Sequence, residues 1–169
     1  MLVLGLDPGL AITGYGLVAA AGQSLSPLAY GVIRTPTDAS LAERLSRLYH
    51  QVRELIAEHR PDVAAVEELF FSSNARTAMT VGHARGVLLL ALSESKLPIV
   101  EYTPMQVKLA VTGYGGAGKL QMQEMVRLLL GLEHVPRPDD AADALGVAIC
   151  HHHSARLREL VDRERGEQP

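Results

Sequence analysis

Hydrophobic and polar positions follow two different periods along this chain. Residues 1–35 run in short apolar stretches broken by glycine and polar turns. "LVLGLD" ends at Asp7-Pro8-Gly9, a turn signal, and "TGYGLVAA" and "LAYGVIRT" follow, separated by "AGQSLSP". The pattern predicts three strands with tight connections, an antiparallel meander. The period then lengthens. Leu41, Leu45, Leu48, Val52, Leu55 and Ile56 recur at helical spacing behind Ser40 and Glu43, which stand as in a capping box. This predicts an amphipathic helix over 40–59, closed by Pro61.

"DVAAVEEL" reads as a fourth strand, apolar until Glu67 and so suited to cover on both faces. "FFSSN" is a loop in which Ser72, Ser73 or Asn74 can cap a helix to about Lys96. Its "GVLLLAL" run calls for burial on more than one side, by the sheet and by a second subunit. "PIVEY" is a fifth strand, and Thr103-Pro104 opens a short helix to about Val111. The glycine loop follows, then a helix over about 119–130. Asp139 or Asp140 caps a last helix through "AADALGVAICHHHSARLREL", and "VDRERGEQP" is charged and expected to fray. The order βββαβαβααα predicts an α/β fold, a mixed five-stranded sheet flanked by helices. The expected domain is 1–155, with 156–169 as a tail.

Composition narrows the class. The 169 residues suit one domain, and 47% hydrophobic with 21% charged residues is ordinary for a soluble protein. No uncharged apolar run reaches the roughly 18 residues of a transmembrane helix, so no membrane association is expected. The opening "MLVLGLDPGL" has no basic segment before it and reads as a strand rather than a signal peptide. The single cysteine, Cys150, fits a reducing cytoplasm. A net charge of −3 argues mildly against nucleic acid. Locally the balance differs. Residues 69–93 hold Arg76, His83 and Arg85 and no acid, and 102–131 hold Lys108, Lys119 and Arg127 against Glu124. On charge alone, ordinary surface variation is the better reading.

The carboxylates carry more. Asp7 ends the first strand, Glu67 ends the fourth, and Asp140-Ala-Ala-Asp143 opens the last helix. Helical positions i and i+3 share a face, about 5–6 Å apart between Cβ atoms. Acids at the same ends of neighbouring strands can face that helix, so all of these carboxylates can converge. Such a cluster repels itself unless hard cations such as Mg²⁺ compensate it. Two such ions can activate a water and stabilise the leaving oxygen of a phosphodiester. Each acid also has a plain structural role: a turn for Asp7, a surface charge for Glu67 or Glu68, an N-cap for Asp140. Asp143, one turn into the helix between alanines, is hardest to explain that way.

"GYGGAGKL" has the spacing of a phosphate-binding P-loop. However, Leu120 stands where the motif needs Ser or Thr, and the preceding segment reads as a helix rather than a strand. His151, His152 and His153 are adjacent on a helix and point in different directions, which makes them a poor chelate and suits structural roles.

"GLDPGLAITGYG", "VEELFFSSNARTAMTVGHARG", "YTPMQVKLAVTGYGGAGK" and "DDAADALGVAICH" resemble the RuvC Holliday junction resolvases, from about residue 2 to 155. The resemblance implies an RNase H-like fold, a homodimer and a Mg²⁺-dependent endonuclease. Such enzymes make paired symmetric nicks across four-way DNA junctions in recombination and repair, leaving 5′-phosphate and 3′-hydroxyl ends. It implies two Mg²⁺ per site, with Mn²⁺ as the alternative, held by Asp7, Glu67, Asp140 and Asp143. Only the Asp-Ala-Ala-Asp spacing selects Asp140 over Asp139. Lys108 and Lys119 match basic residues near the scissile phosphate, which makes "TGYGGAGK" a mobile DNA-contacting loop. Phe70, three residues after Glu67, matches an aromatic that lies against an unpaired base, an interaction worth about 1–3 kcal/mol. Phe71 is its neighbour and a second candidate DNA contact, whose plain alternative is to pack in the core or beneath the loop. Asn74 and Arg76 open the next helix, where backbone N–H groups favour phosphate. The small residues Ala78, Gly82, Ala84 and Gly86 of that helix suit a dimer interface. RuvA and RuvB are implied partners.

Three rivals remain. An ATP-binding protein of the actin and sugar-kinase type would need a second, duplicated domain. A catalytically silent nucleic-acid-binding module would be expected to lack an acid, whereas every acidic position is filled. A general RNase H-like nuclease with another substrate is the nearest competitor.

Overall fold

The computed structural model describes residues 1–68 and 75–165. The elements are β1 (Leu2–Asp7), β2 (Ile12–Ala21), β3 (Ser24–Arg34), α1 (Leu41–His59), β4 (Val63–Glu67), α2 (Ala75–Glu94), β5 (Ile99–Tyr102), α3 (Pro104–Thr112), α4 (Lys119–Leu129) and α5 (Asp139–Arg165). One five-stranded sheet has the order β3-β2-β1-β4-β5. β1 pairs antiparallel with β2 and parallel with β4; β2–β3 is antiparallel and β4–β5 parallel. The sheet is therefore mixed, as the pattern predicts.

The first hairpin differs from expectation. "AGQSLSP" is not a loop: both strands extend into it, leaving only Gly22-Gln23 as the turn, with Gly22 at a φ of 61°. Pro27, the residue that reads as a strand breaker, lies inside β3. It is tolerated because β3 is an edge strand and because the register slips beside it, Leu17 pairing with Ala29 and Val18 with Pro27.

Alternation along β1 divides the core. Leu4 and Leu6 face one side, with Leu17, Ala64, Val66 and Leu92. Next to them α1 and α2 pack through Leu48, Val52, Ala84 and Leu88. Val3 faces the other side, with Ala65 of β4 and with Val107, Val126, Leu145 and Ile149 of α3, α4 and α5. Ser40 and Glu43 form the expected capping box on α1, and Thr103 with Gln106 forms a second on α3.

α5 lies unusually close to the sheet. A Cβ on Gly5 would sit 2.1 Å from the Ala144 carbonyl oxygen, and one on Gly14 would sit 1.9 Å from that of Asp140. Only glycine permits this approach. Ala144 and Ala148, both buried, lie against these glycines, and Leu145 packs over Gly16. Each histidine of the triplet ties α5 to a different element. His151 Nδ1 is 3.0 Å from Tyr102 Oη, His152 Nε2 donates to Val18 O at 2.9 Å, and His153 Nδ1 donates to Ala110 O at 2.9 Å.

α2 buries Ala84, Leu88, Ala91 and Leu92, while Met79 and Leu90 are exposed. A Cβ added at Gly82 or Gly86 would meet nothing among the described residues.

Candidate active site

Parallel pairing aligns the ends of β1 and β4. Leu6 pairs with Val66, so the next residues, Asp7 and Glu67, emerge side by side at the carboxyl edge of the sheet. The close seat of α5 on Gly5 and Gly14 brings its first turns over the same edge. Asp7, Glu67 and Asp143 line one cleft of about 270 Å³ with Lys108, Lys119, Pro104, Val107 and Met122. α3 supplies Lys108 and α4 supplies Lys119.

Asp140 does not line this cleft, but its charge acts on both Asp7 and Asp143. Its backbone carbonyl is the point at which α5 comes closest to β2, over Gly14. Asp139 belongs to a different set of contacts. It pairs with Lys119 Nζ at 3.1 Å and with Arg137 at 2.6 Å. The Lys119 hydrogen bond holds its carboxyl below the ordinary value. Lys119 also reaches Asp143 at 3.7 Å.

The electrostatics are those of a carboxylate cluster short of positive charge. Burial, then the charges of Glu67, Asp143 and Asp140, push Asp7 up to about 8 against the pull of Lys119. Burial and Asp143 push Glu67 up to about 7, opposed by Lys108 and by a hydrogen bond with Asp7. Burial also raises Asp143, where Lys119 works against Asp140 and Asp139. Burial pulls the Lys119 ammonium down, but its bond to Asp139 and the nearby acids outweigh burial and leave it raised.

Among the described residues, no group of three or more acidic, histidine or cysteine side chains stands close enough to chelate an ion as placed. The donor chemistry nevertheless fits a hard divalent cation. The donors are carboxylate oxygens, and burial first, then the neighbouring acids, raises Asp7 and Glu67, a cost that a hard divalent cation would relieve.

The structure thus brings together Asp7, Glu67, Asp143, Lys108 and Lys119, with Asp140 one turn away. Phe70, Phe71 and Asn74 lie outside the described residues, as does the side chain of Arg76. The apolar wall of Pro104, Val107 and Met122 and the contact of Gly14 with α5 are not anticipated by the sequence reading. One signal was available for the latter: Gly14 and Gly16 share one face of β2, where Gly14 lies against Asp140 and Ala144 of α5 and Gly16 against Leu145.

A family model described as crossover junction endodeoxyribonuclease RuvC matches residues 3–151. The chain is 56% identical over 157 residues to the crossover junction endodeoxyribonuclease RuvC of Desulfitobacterium hafniense, covering 93% of this chain and 95% of that protein. The RuvC structure of Thermus thermophilus superposes with a TM-score of 0.86 at 40% identity, covering 93% of this chain and 96% of that one. T. thermophilus RuvC in complex with Holliday junction substrate gives 0.85 at 38% identity, with the same coverage. The strand order and helix placement are those of the RNase H-like fold. Agreement of this extent, over nearly the whole length of both sequence and fold, shows that the chain belongs to the RuvC family of crossover junction endodeoxyribonucleases.

Proposed function

We propose that this endonuclease resolves four-way DNA junctions by paired symmetric nicks, hydrolysing phosphodiesters in the cleft between β1, β4 and α5. One observation carries the reading: Asp7, Glu67 and Asp143 meet Lys108 and Lys119 in a single cleft. A relative at 38% identity has been seen with a Holliday junction substrate, which supports the choice of DNA.

Asp7, Glu67, Asp140 and Asp143 are the proposed holders of two Mg²⁺ ions, with Mn²⁺ as the alternative. When bound, such ions supply Lewis-acid charge that makes water a nucleophile at neutral pH and steadies the leaving oxygen. The chain's own groups do the rest. Lys108 and Lys119 place positive charge beside the phosphate from α3 and α4. The Lys119 pairs with Asp139 and Asp143 are partly exposed, and such pairs are worth about 0–1 kcal/mol, so a phosphate can replace them. Val107 and Met122 keep water off one wall, which strengthens every charge interaction in the cleft. The products are a 5′-phosphate and a 3′-hydroxyl.

Phe70 is the proposed base-stacking residue, with Phe71, Asn74 and Arg76 as further DNA contacts. The active form is a homodimer, whose two-fold symmetry sets two sites on a two-fold substrate. RuvA and RuvB are proposed partners and the cytoplasm the proposed location. No helix among the described residues is long and apolar enough to cross a membrane.

The test is a synthetic mobile four-way junction with each strand end-labelled, with and without Mg²⁺, beside linear duplex and RNA–DNA hybrid. Paired metal-dependent nicks confined to the junction are expected. Cleavage of the duplex or hybrid instead would overturn the junction-resolving reading.

A further inference from the structure

The glycine loop 113–118 has a structural use that phosphate binding does not explain. A Cβ on Gly116 would lie 2.7 Å from the Tyr114 ring atom Cζ and from its hydroxyl oxygen, and one on Gly115 would lie 3.1 Å from Met105 Cγ. The bare backbone at these positions leaves room for the side chains of Tyr114 and Met105 to lie across it. Leu109 stands four residues after Met105 on α3, on the same face. Thr112 Oγ1 accepts the Tyr114 N–H at 3.2 Å, and Ala117 N–H donates to Tyr114 O at 3.1 Å. The tyrosine is therefore held at its backbone on both sides.

These side chains are open to solvent. Met105 is 66% exposed, Leu109 56%, Tyr114 64%, and Leu120 at the start of α4 80%. They flank the cleft closely in sequence: Met105 follows Pro104, Leu109 follows Lys108, and Leu120 follows Lys119, and each of those neighbours lines it. The chain between Glu101 and Glu124 contains no acid. Exposed apolar side chains and an aromatic ring, on a segment that carries two cleft lysines and no acid, suit a partner that is polyanionic and presents flat apolar faces.

We propose that Met105, Leu109, Tyr114 and Leu120 form a platform for an unpaired or unstacked base of the junction DNA, with Tyr114 as its stacking residue. This rests on the junction-resolving reading and deepens it. Base–aromatic stacking tolerates any sequence because every base has a π-face. Apolar side chains at a distorted step hold bases out of the helix. A linear duplex offers no open base, so the platform adds affinity for junctions alone.

The experiment compares the full-length protein with Tyr114→Ala, Tyr114→Phe and Leu120→Ala. Binding to a four-way junction and to a linear duplex is read by fluorescence anisotropy without divalent cation. Tyr114→Ala is expected to weaken junction binding roughly ten-fold, while Tyr114→Phe stays within about two-fold of the parent. Leu120→Ala should lose less than Tyr114→Ala, and duplex affinity should not change in any variant. Junction affinity undisturbed in Tyr114→Ala, or equal losses on junction and duplex, would overturn the platform. So would altered self-association of Tyr114→Ala without DNA, which would assign the surface to a protein interface. Cleavage assays on the parent separate the two readings. If it cuts junctions and Tyr114→Ala binds them unchanged, only the platform fails. If it neither prefers nor cuts junctions, the functional reading fails and the platform with it.

Discussion

Asp7 ends β1 among Glu67, Asp143 and Asp140, buried enough that its proton stays on until about pH 8, against an ordinary value of 3.8. The consequence for stability has a definite sign. Below about pH 4 the carboxyl is protonated in both folded and unfolded chains. Between there and pH 8 the unfolded chain releases the proton and the folded chain keeps it, so stability falls as pH rises through this window. Glu67, raised to about 7, acts in the same direction. Metal-free protein should therefore lose stability from pH 5 to pH 8 more steeply than metal-free Asp7→Asn, read by urea unfolding at each pH. Equal slopes would contradict the placement of Asp7. Comparing the two proteins also removes the opposite contribution of His151, which burial lowers to about 4. In the assay with Mg²⁺, Asp7→Asn should cut no junction and still bind it. Loss of binding together with loss of folding would instead mark Asp7 as structural. At this scale much of the site was legible in the sequence. Asp7, Glu67 and Asp143 could be singled out by their joint placement at the ends of two strands and one turn into the last helix, although a turn or a surface charge accounts for Asp7 or Glu67 taken alone. Asp140 is less direct, since its side chain stays outside the cleft and acts by its charge.

At the scale of elements, the site depends on how close α5 comes to β1 and β2. A methyl group at Gly14 would meet the Asp140 carbonyl at 1.9 Å, and a backbone oxygen cannot step aside as a flexible side chain can. Gly14→Ala should lift the first turn of α5 off the sheet and cost about 1–3 kcal/mol. Cleavage should fall further than that loss of folded protein explains, because Asp140 and Asp143 move with the turn. Thermal unfolding beside single-turnover cleavage checks this; an active and fully stable variant would refute it. α5 also continues regularly to Arg165, past the proposed boundary at residue 155. Leu157, Leu160 and Val161 on these turns are exposed, so they add little to the core. A chain ending at residue 155 should fold and cleave like the parent, measured by circular dichroism and the junction assay. The elements themselves were largely legible, since their periods differ and the capping box of Ser40 with Glu43 marks a helix start. The hairpin was not. Pro27 and Ser26 read as a loop, and only an edge position with a bulge makes them a strand.

For the whole molecule, α2 leaves Met79 and Leu90 exposed on a helix whose other sides pack on the sheet and α1. If this face joins two copies, Leu90→Glu should weaken the dimer at least ten-fold, by sedimentation across a concentration series, and uncouple the paired nicks. A variant that stays dimeric at the same concentrations would place the interface elsewhere. The sequence by itself determined the order of elements, the mixed character of the sheet and the acids at strand and helix ends. These follow from local periodicity, turn chemistry and the expense of an unpaired charge near apolar residues. Tertiary structure decided what local pattern cannot contain. Parallel pairing of β1 with β4 set Asp7 beside Glu67 across some sixty positions of chain. The glycines of β1 and β2 let α5 settle over both, and Lys119 turned to Asp139 and Asp143. Distances between residues far apart in sequence arise only when the sheet and helices pack, because burial and repulsion depend on which groups finally meet.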